Sequence, residues 1–167
     1  MKLVQARKRA RKTQTEVAEH CRISRRYYQS IEYDRGDPTM KIGLHIAKFL
    51  DVNPYYIDEW YERIPVSKVT KHPKREPSVK TSAPPASVTR PDVKEIDVKK
   101  QISLKQVRKR FKRTQEEMAS LCEISRRHYQ NIEYGSSEAT IRIGLKIAKV
   151  LDVSPYHIKE FYSNIGE

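Results

Sequence analysis

Five glycines, two cysteines and one tryptophan are all that this chain of 167 residues has of three types that often shape folds and sites. Cys21 and Cys122 stand at the same place in two separate stretches, each on an apolar helix face. They are expected to be small buried hydrophobes rather than a disulfide or a metal ligand. No apolar run approaches the roughly 18 residues that a membrane span requires, and no secretory apolar core follows the amino terminus. The expectation is a cytoplasmic protein without a membrane partner. The histidines His20, His45, His72, His128 and His157 have no metal-ligand spacing, and neither a nucleophile–base set nor a phosphate-cradling glycine loop is present. An enzyme, a metal and a cofactor are therefore not expected. Positive charge, by contrast, is abundant: 34 Lys and Arg against 21 Asp and Glu leave a net +13, spread as +4, +5 and +4 over residues 1–64, 65–101 and 102–167. Such a balance favours a polyanionic partner, nucleic acid before an anionic membrane.

Residues 1–64 and 102–165 are two copies of one unit, related by a gapless shift of 101. Thr13-Gln14-Thr15-Glu16-Val17-Ala18 returns as Thr114-Gln115-Glu116-Glu117-Met118-Ala119, and Ser24-Arg25-Arg26-Tyr27-Tyr28-Gln29-Ser30-Ile31-Glu32-Tyr33 as Ser125-Arg126-Arg127-His128-Tyr129-Gln130-Asn131-Ile132-Glu133-Tyr134. Two copies of about 60 residues can each form a small core, which excludes a solenoid of short repeats. Between them, residues 65–100 hold six of the nine prolines and no aromatic residue. That composition predicts a flexible Pro-rich linker between an N-terminal domain, 1–64, and a C-terminal domain, 101–167. Val93, Ile96 and Val98 are left to pack on the second unit or to lengthen its first helix.

Each unit predicts five short helices and no strand. Helix 1 spans about Lys2 to Arg11. Helix 2 opens on a capping box, Thr13 with Glu16 and Thr114 with Glu117. Helix 3 starts at the N-cap Ser24, buries Tyr28 and Ile31, and turns Arg26, Gln29, Ser30 and Tyr33 to the other side. Helix 4 spans about Met40 to Leu50 on a stripe of Ile42, Ile46, Ala47, Phe49 and Leu50. Helix 5 begins at Asn53-Pro54 and Ser154-Pro155. Its aromatic residues, among them Tyr55, Tyr56, Trp60 and Tyr61, either close the core or form an interface between units or between chains.

Only Cys21-Arg22-Ile23 separates helices 2 and 3, so the two meet steeply across a tight turn, the arrangement that sets a second helix into a major groove. On these residues the chain resembles the lambda-repressor and Cro-like family of bacterial and phage regulators, over both units. The resemblance implies an all-α fold of two five-helix lambda-repressor-like DNA-binding domains, and a sequence-specific regulator of transcription, a repressor, reading double-stranded DNA at an operator with two half-sites. It assigns base readout to Arg25, Arg26, Gln29, Ser30, Arg126, Arg127, Gln130 and Asn131. Arg pairs with guanine, and Gln or Asn with adenine, through two bonds worth about 1–3 kcal/mol of discrimination. Gln14 and Gln115 touch a phosphate and brace the reading helix. Ser24, Tyr27, Arg35 and Lys41, with Ser125, His128, Ser136 and Arg142, lie at phosphates or the flank. A structural ion pair joins Arg7 to Glu32, and Arg108 to Glu133. Arg22 and Glu123 stand where the family usually has glycine, which calls for positive φ or a slightly different turn.

Two heads on one chain make the second contact intramolecular and allow direct, inverted or widely spaced half-sites. Tyr27 against His128 and Ser30 against Asn131 predict related, non-identical half-sites, with an adenine preference added by Asn131. Homo-oligomers through the helix 5 aromatics and control by an antagonist protein stay open. Two other classes compete: a protein-interaction or antitoxin-type protein, and an architectural DNA-binding protein.

Overall fold

The computed structural model describes residues 1–61 and 101–162. The linker segment, with Val93, Ile96 and Val98, lies outside the described residues. Each repeat folds as four α-helices, with no β-ladder among the described residues: α1 (Leu3–Arg9), α2 (Gln14–His20), α3 (Arg25–Glu32) and α4 (Met40–Phe49), then α5 (Leu104–Arg110), α6 (Gln115–Leu121), α7 (Arg126–Glu133) and α8 (Ile141–Val150). Side-chain caps start every one but α1, whose N-cap is Lys2. Thr13 Oγ1 accepts from Glu16 N while Glu16 returns a carboxylate oxygen to Thr13 N, and Thr114 and Glu117 repeat the box. That backbone N–H, then the Thr hydroxyl, holds the Glu16 and Glu117 carboxyls below their ordinary range.

The helices end alike. After α2, Arg22 N donates to Glu19 O and Ile23 N to Ala18 O, a Schellman closure that needs a left-handed residue at its centre. Arg22 supplies it at φ 52° and Glu123 at φ 58°. Positive φ is thus the answer to the missing glycine, at about 1–2 kcal/mol per site for a residue with a Cβ. Gly135 takes the same role freely after α7, at φ 72°.

The predicted fifth helix is only a 3₁₀ turn, Pro54–Tyr56 and Pro155–His157. Ile57 and Ile158 leave it in extended conformation, drawn out by pairing with the start of each repeat. Asp58 N donates to Met1 O, and Lys159 N to Ile102 O. Beyond that turn Ile57, Trp60, Ile158 and Phe161 are buried in the core, as is each thiol, Cys21 and Cys122. Burial pushes both thiols up to about 12.

Helix α4 differs from its expected stripe. Ile46, Ala47 and Leu50 are buried, but Ile42 and Phe49 are only partly so, while Met40, Gly43 and Leu44 are fully covered. The cause is a second burial surface, because α4 packs against α8 of the other repeat. Met40 N donates to Ala139 O (2.7 Å) and Ile141 N to Pro38 O (2.9 Å), flanking an antiparallel bridge of Thr39 with Thr140. Tyr55 Oη donates to Leu145 O and Tyr156 Oη to Leu44 O, each at 3.4 Å. Gly43 lies against Ile141, and Gly144 against Met40. Each of these contacts has its mirror under the shift of 101, which is the signature of an isologous, two-fold interface. Tyr55 and Tyr156 thereby belong to the junction of the two repeats.

Some contacts break the symmetry. Arg142 of α8 donates through Nε to Asp37 (2.7 Å) and through Nη2 to Asp34 (2.6 Å). The counterpart positions hold Lys41, Glu138 and Gly135, and no bond joins Lys41 to Glu138 among the described residues. Likewise Lys48 Nζ donates to Tyr162 Oη at 3.0 Å, and the His45 ring stacks on Tyr162.

Candidate nucleic-acid interface

Ser24 Oγ accepts from Tyr27 N at 3.1 Å and Ser125 Oγ from His128 N at 3.2 Å. These caps fix where α3 and α7 begin, and so which residues occupy the first turn. Arg25, Arg26, Arg126 and Arg127 stand there in solvent. One turn on, Gln29, Ser30, Gln130 and Asn131 are half-exposed, as are Tyr27 and His128 beside the core. Tyr28, Ile31, Tyr129 and Ile132 hold the opposite face down. The repeats thus present the same polar face twice, as the sequence predicts.

A relay of hydrogen bonds locks that face. Gln29 Nε2 donates to Gln14 Oε1 (2.9 Å), Gln14 Nε2 to Glu32 Oε2 (2.6 Å), and Arg7 Nε to Glu32 Oε1 (2.6 Å). Arg7 Nη1 then donates to Lys12 O, tying the end of α1 into the set. The second repeat copies the relay through Gln130, Gln115, Glu133 and Arg108. Arg108 is doubly bound, with Nε to Oε2 at 3.1 Å and Nη2 to Oε1 at 2.9 Å. The hydrogen bond to the glutamate raises both guanidinium pKa values, against the opposing effect of burial. Gln14 and Gln115 thereby tie α2 to α3 and α6 to α7, and the half-exposed amides of Gln29 and Gln130 are each held through Nε2, which leaves Oε1 out of the relay.

Ser30 is less available than its neighbours. Its hydroxyl donates to Tyr27 O at 2.7 Å, and Gly36 closes over it so that a Cβ there would lie 3.3 Å from Ser30 Oγ. Among the flanking residues, Arg35 and Ser136 are exposed and Lys41 is half-buried. Arg142, expected at a phosphate, instead holds Asp34 and Asp37 of the other repeat. Sequence reasoning missed this clamp because both acids lie in the loop after α3, 105 and 108 residues from their partner. It also passed over Glu116, whose Oε2 lies 3.6 Å from Arg126 Nε.

Among the described residues no His, Cys, Asp and Glu cluster is arranged to hold a metal ion, and no helix is long and apolar enough to cross a membrane. The helix-turn-helix family model matches residues 3–57 and again 104–158, covering each repeat from α1 or α5 to just past its 3₁₀ turn. No curated protein and no solved structure matches the chain.

Proposed function

Because the chain belongs to the helix-turn-helix family, as a DNA-binding regulator of the XRE type, we propose that it is a repressor that reads two related half-sites in inverted orientation, one with α3 and one with α7. The observation that carries this reading is the reciprocal junction. Two bodies related by a two-fold axis present their reading helices in opposite senses, and the DNA that fits them has its half-sites inverted. Of the three arrangements open to two heads on a tether, the junction supports this one.

Within each head, Arg25 and Arg26, or Arg126 and Arg127, take guanine O6 and N7, while Gln29 and Gln130 take adenine N6 and N7 with their free amide valences. Asn131 adds an adenine contact. Gln14, Ser24, Tyr27, Arg35 and Lys41, with Gln115, Ser125, His128 and Ser136, meet the backbone or the flank, where contacts position the protein without reading sequence. Arg142 is assigned to the junction. Repression follows from occupancy, since covering a promoter needs no additional domain.

Selection of duplexes from a random pool by the full chain tests the reading, beside a variant with Arg25, Arg26, Arg126 and Arg127 all changed to Ala. The expected result is an enriched pair of inverted half-sites, lost in the variant while its melting temperature is kept. Direct repeats, or enrichment indifferent to the four substitutions, would overturn it.

A further inference from the structure

The two reading heads share their arginines and their glutamine relay but not their electrostatics. In the second repeat Glu116, the second residue of α6, places Oε2 3.6 Å from Arg126 Nε, with both side chains in solvent, 71% and 61% exposed. The first repeat has Thr15 there, and Arg25 makes no ion pair among the described residues. Glu116 directly follows Gln115, whose Oε1 accepts from Gln130, so the carboxylate borders the face that carries Arg126, Gln130 and Asn131.

Resting on the base-reading role given above to α7, we propose that Glu116 is a specificity-determining residue that makes the heads inequivalent and seats the chain on its operator in one polarity. The chemistry is direct. A guanidinium has five donors in a planar fork, and drawing Nε towards Glu116 leaves the Nη1–Nη2 edge to approach guanine O6 and N7. A side chain oriented before binding gives up less rotamer freedom on binding, so its contact discriminates more sharply. A carboxylate accepts but does not donate, so it bonds neither a phosphate nor the acceptor edge of guanine. Beside a row of phosphates it opposes every duplex alike, which lowers the sequence-independent part of binding. The second head thus has weaker hold and stricter choice; the first, with Thr15, has the reverse.

A second difference points the same way. Ser30 has already donated its only hydroxyl proton to Tyr27 O. At the matching position Asn131 carries an amide with donors and an acceptor, so the stricter head also has the larger reading vocabulary.

The test uses the full chain and three fluorescent duplexes: the selected operator, the operator with the guanine of the Arg126 half-site replaced, and a random-sequence duplex. E116T is expected to bind the random duplex about two- to fivefold more tightly, the range of one exposed charge interaction, and to lose a similar factor of discrimination in one half-site only. E116Q should match it on random DNA. T15E should produce the opposite changes in the other half-site. Thermal melts should leave all three variants at the wild-type value, since the altered side chains are in solvent. If E116T leaves both quantities unchanged, or shifts both half-sites equally, the proposal falls. R126A separates the two levels. Discrimination lost in R126A and intact in E116T overturns the role of Glu116 alone, whereas discrimination intact in both overturns the reading of α7 as well.

Discussion

Gly43 lies so close to Ile141 that a Cβ on the glycine would come 2.6 Å from Cδ1, 2.8 Å from Cγ1 and 3.1 Å from Cβ of the isoleucine. Its mirror, Gly144, would meet Met40 at 2.5 Å from Sδ and 2.7 Å from Cγ. The two contacts are equivalent in geometry and unequal in stiffness. A β-branched side chain has little rotamer freedom in a helix, and methionine has much. Gly43→Ala is therefore expected to cost about 1–3 kcal/mol of overpacking, and Gly144→Ala less, since Met40 can turn aside. Urea melts of the two variants check the order, and equal losses would contradict it.

Glu32 is the hub of the first relay, with its side chain 1% exposed and bonds to Arg7 and Gln14. Removing it leaves a guanidinium facing a buried gap, a change that typically costs about 3–5 kcal/mol. Glu32→Ala should lower the melting temperature strongly and free Gln14, and through it Gln29. An unchanged melt together with lost DNA binding would make Glu32 a contact residue instead.

The capping boxes give stability a defined acid limb. The Glu16 and Glu117 carboxyls are held below their ordinary value of 4.5 by Thr13 and Thr114. A carboxyl depressed in the folded state stabilises fully above its unfolded value and ceases to do so as pH falls through its folded value. The stability gap between the wild type and a Glu16→Gln/Glu117→Gln variant should hold steady above pH 4.5 and close below it. A gap independent of pH would show that the boxes act without their charge.

Cys21 and Cys122 are buried, with thiols pushed up to about 12, and the thiolate is the nucleophile. At pH 8 neither should react with a disulfide reagent in the folded chain, and both should react in urea. Stoichiometric labelling of the native protein at diffusion-controlled rates would place them elsewhere than in the core.

Local features were the most legible in the sequence. The caps at Thr13, Ser24 and Thr39 are formed by side chains bonding three residues ahead, and such signals need no tertiary context. The polar face of α3 follows from its period once Tyr28 and Ile31 are assigned to the core. What stayed hidden depends on partners far along the chain. The 3₁₀ turn at Pro54 has a helix-starting pattern, but pairing with residue 1 pulls Ile57 into extended form. The junction was masked because Ile42-Gly43-Leu44 and Ile143-Gly144-Leu145 read as ordinary helix interior, though a glycine mid-helix in both copies, with no turn to make, is the trace of close approach. Arg142 looked like a phosphate ligand by charge alone, and only the fold brings Asp34 and Asp37 to it.

The Thr39–Thr140 bridge lies between two parts of one polypeptide, and this changes how abundance acts. A regulator that must find a second molecule loses its paired form on dilution, so its occupancy climbs steeply past a threshold. Here pairing is unimolecular and indifferent to concentration. Under the proposed function, with one chain to an operator, occupancy far from saturation rises with the first power of copy number, and a defective copy has no partner to poison.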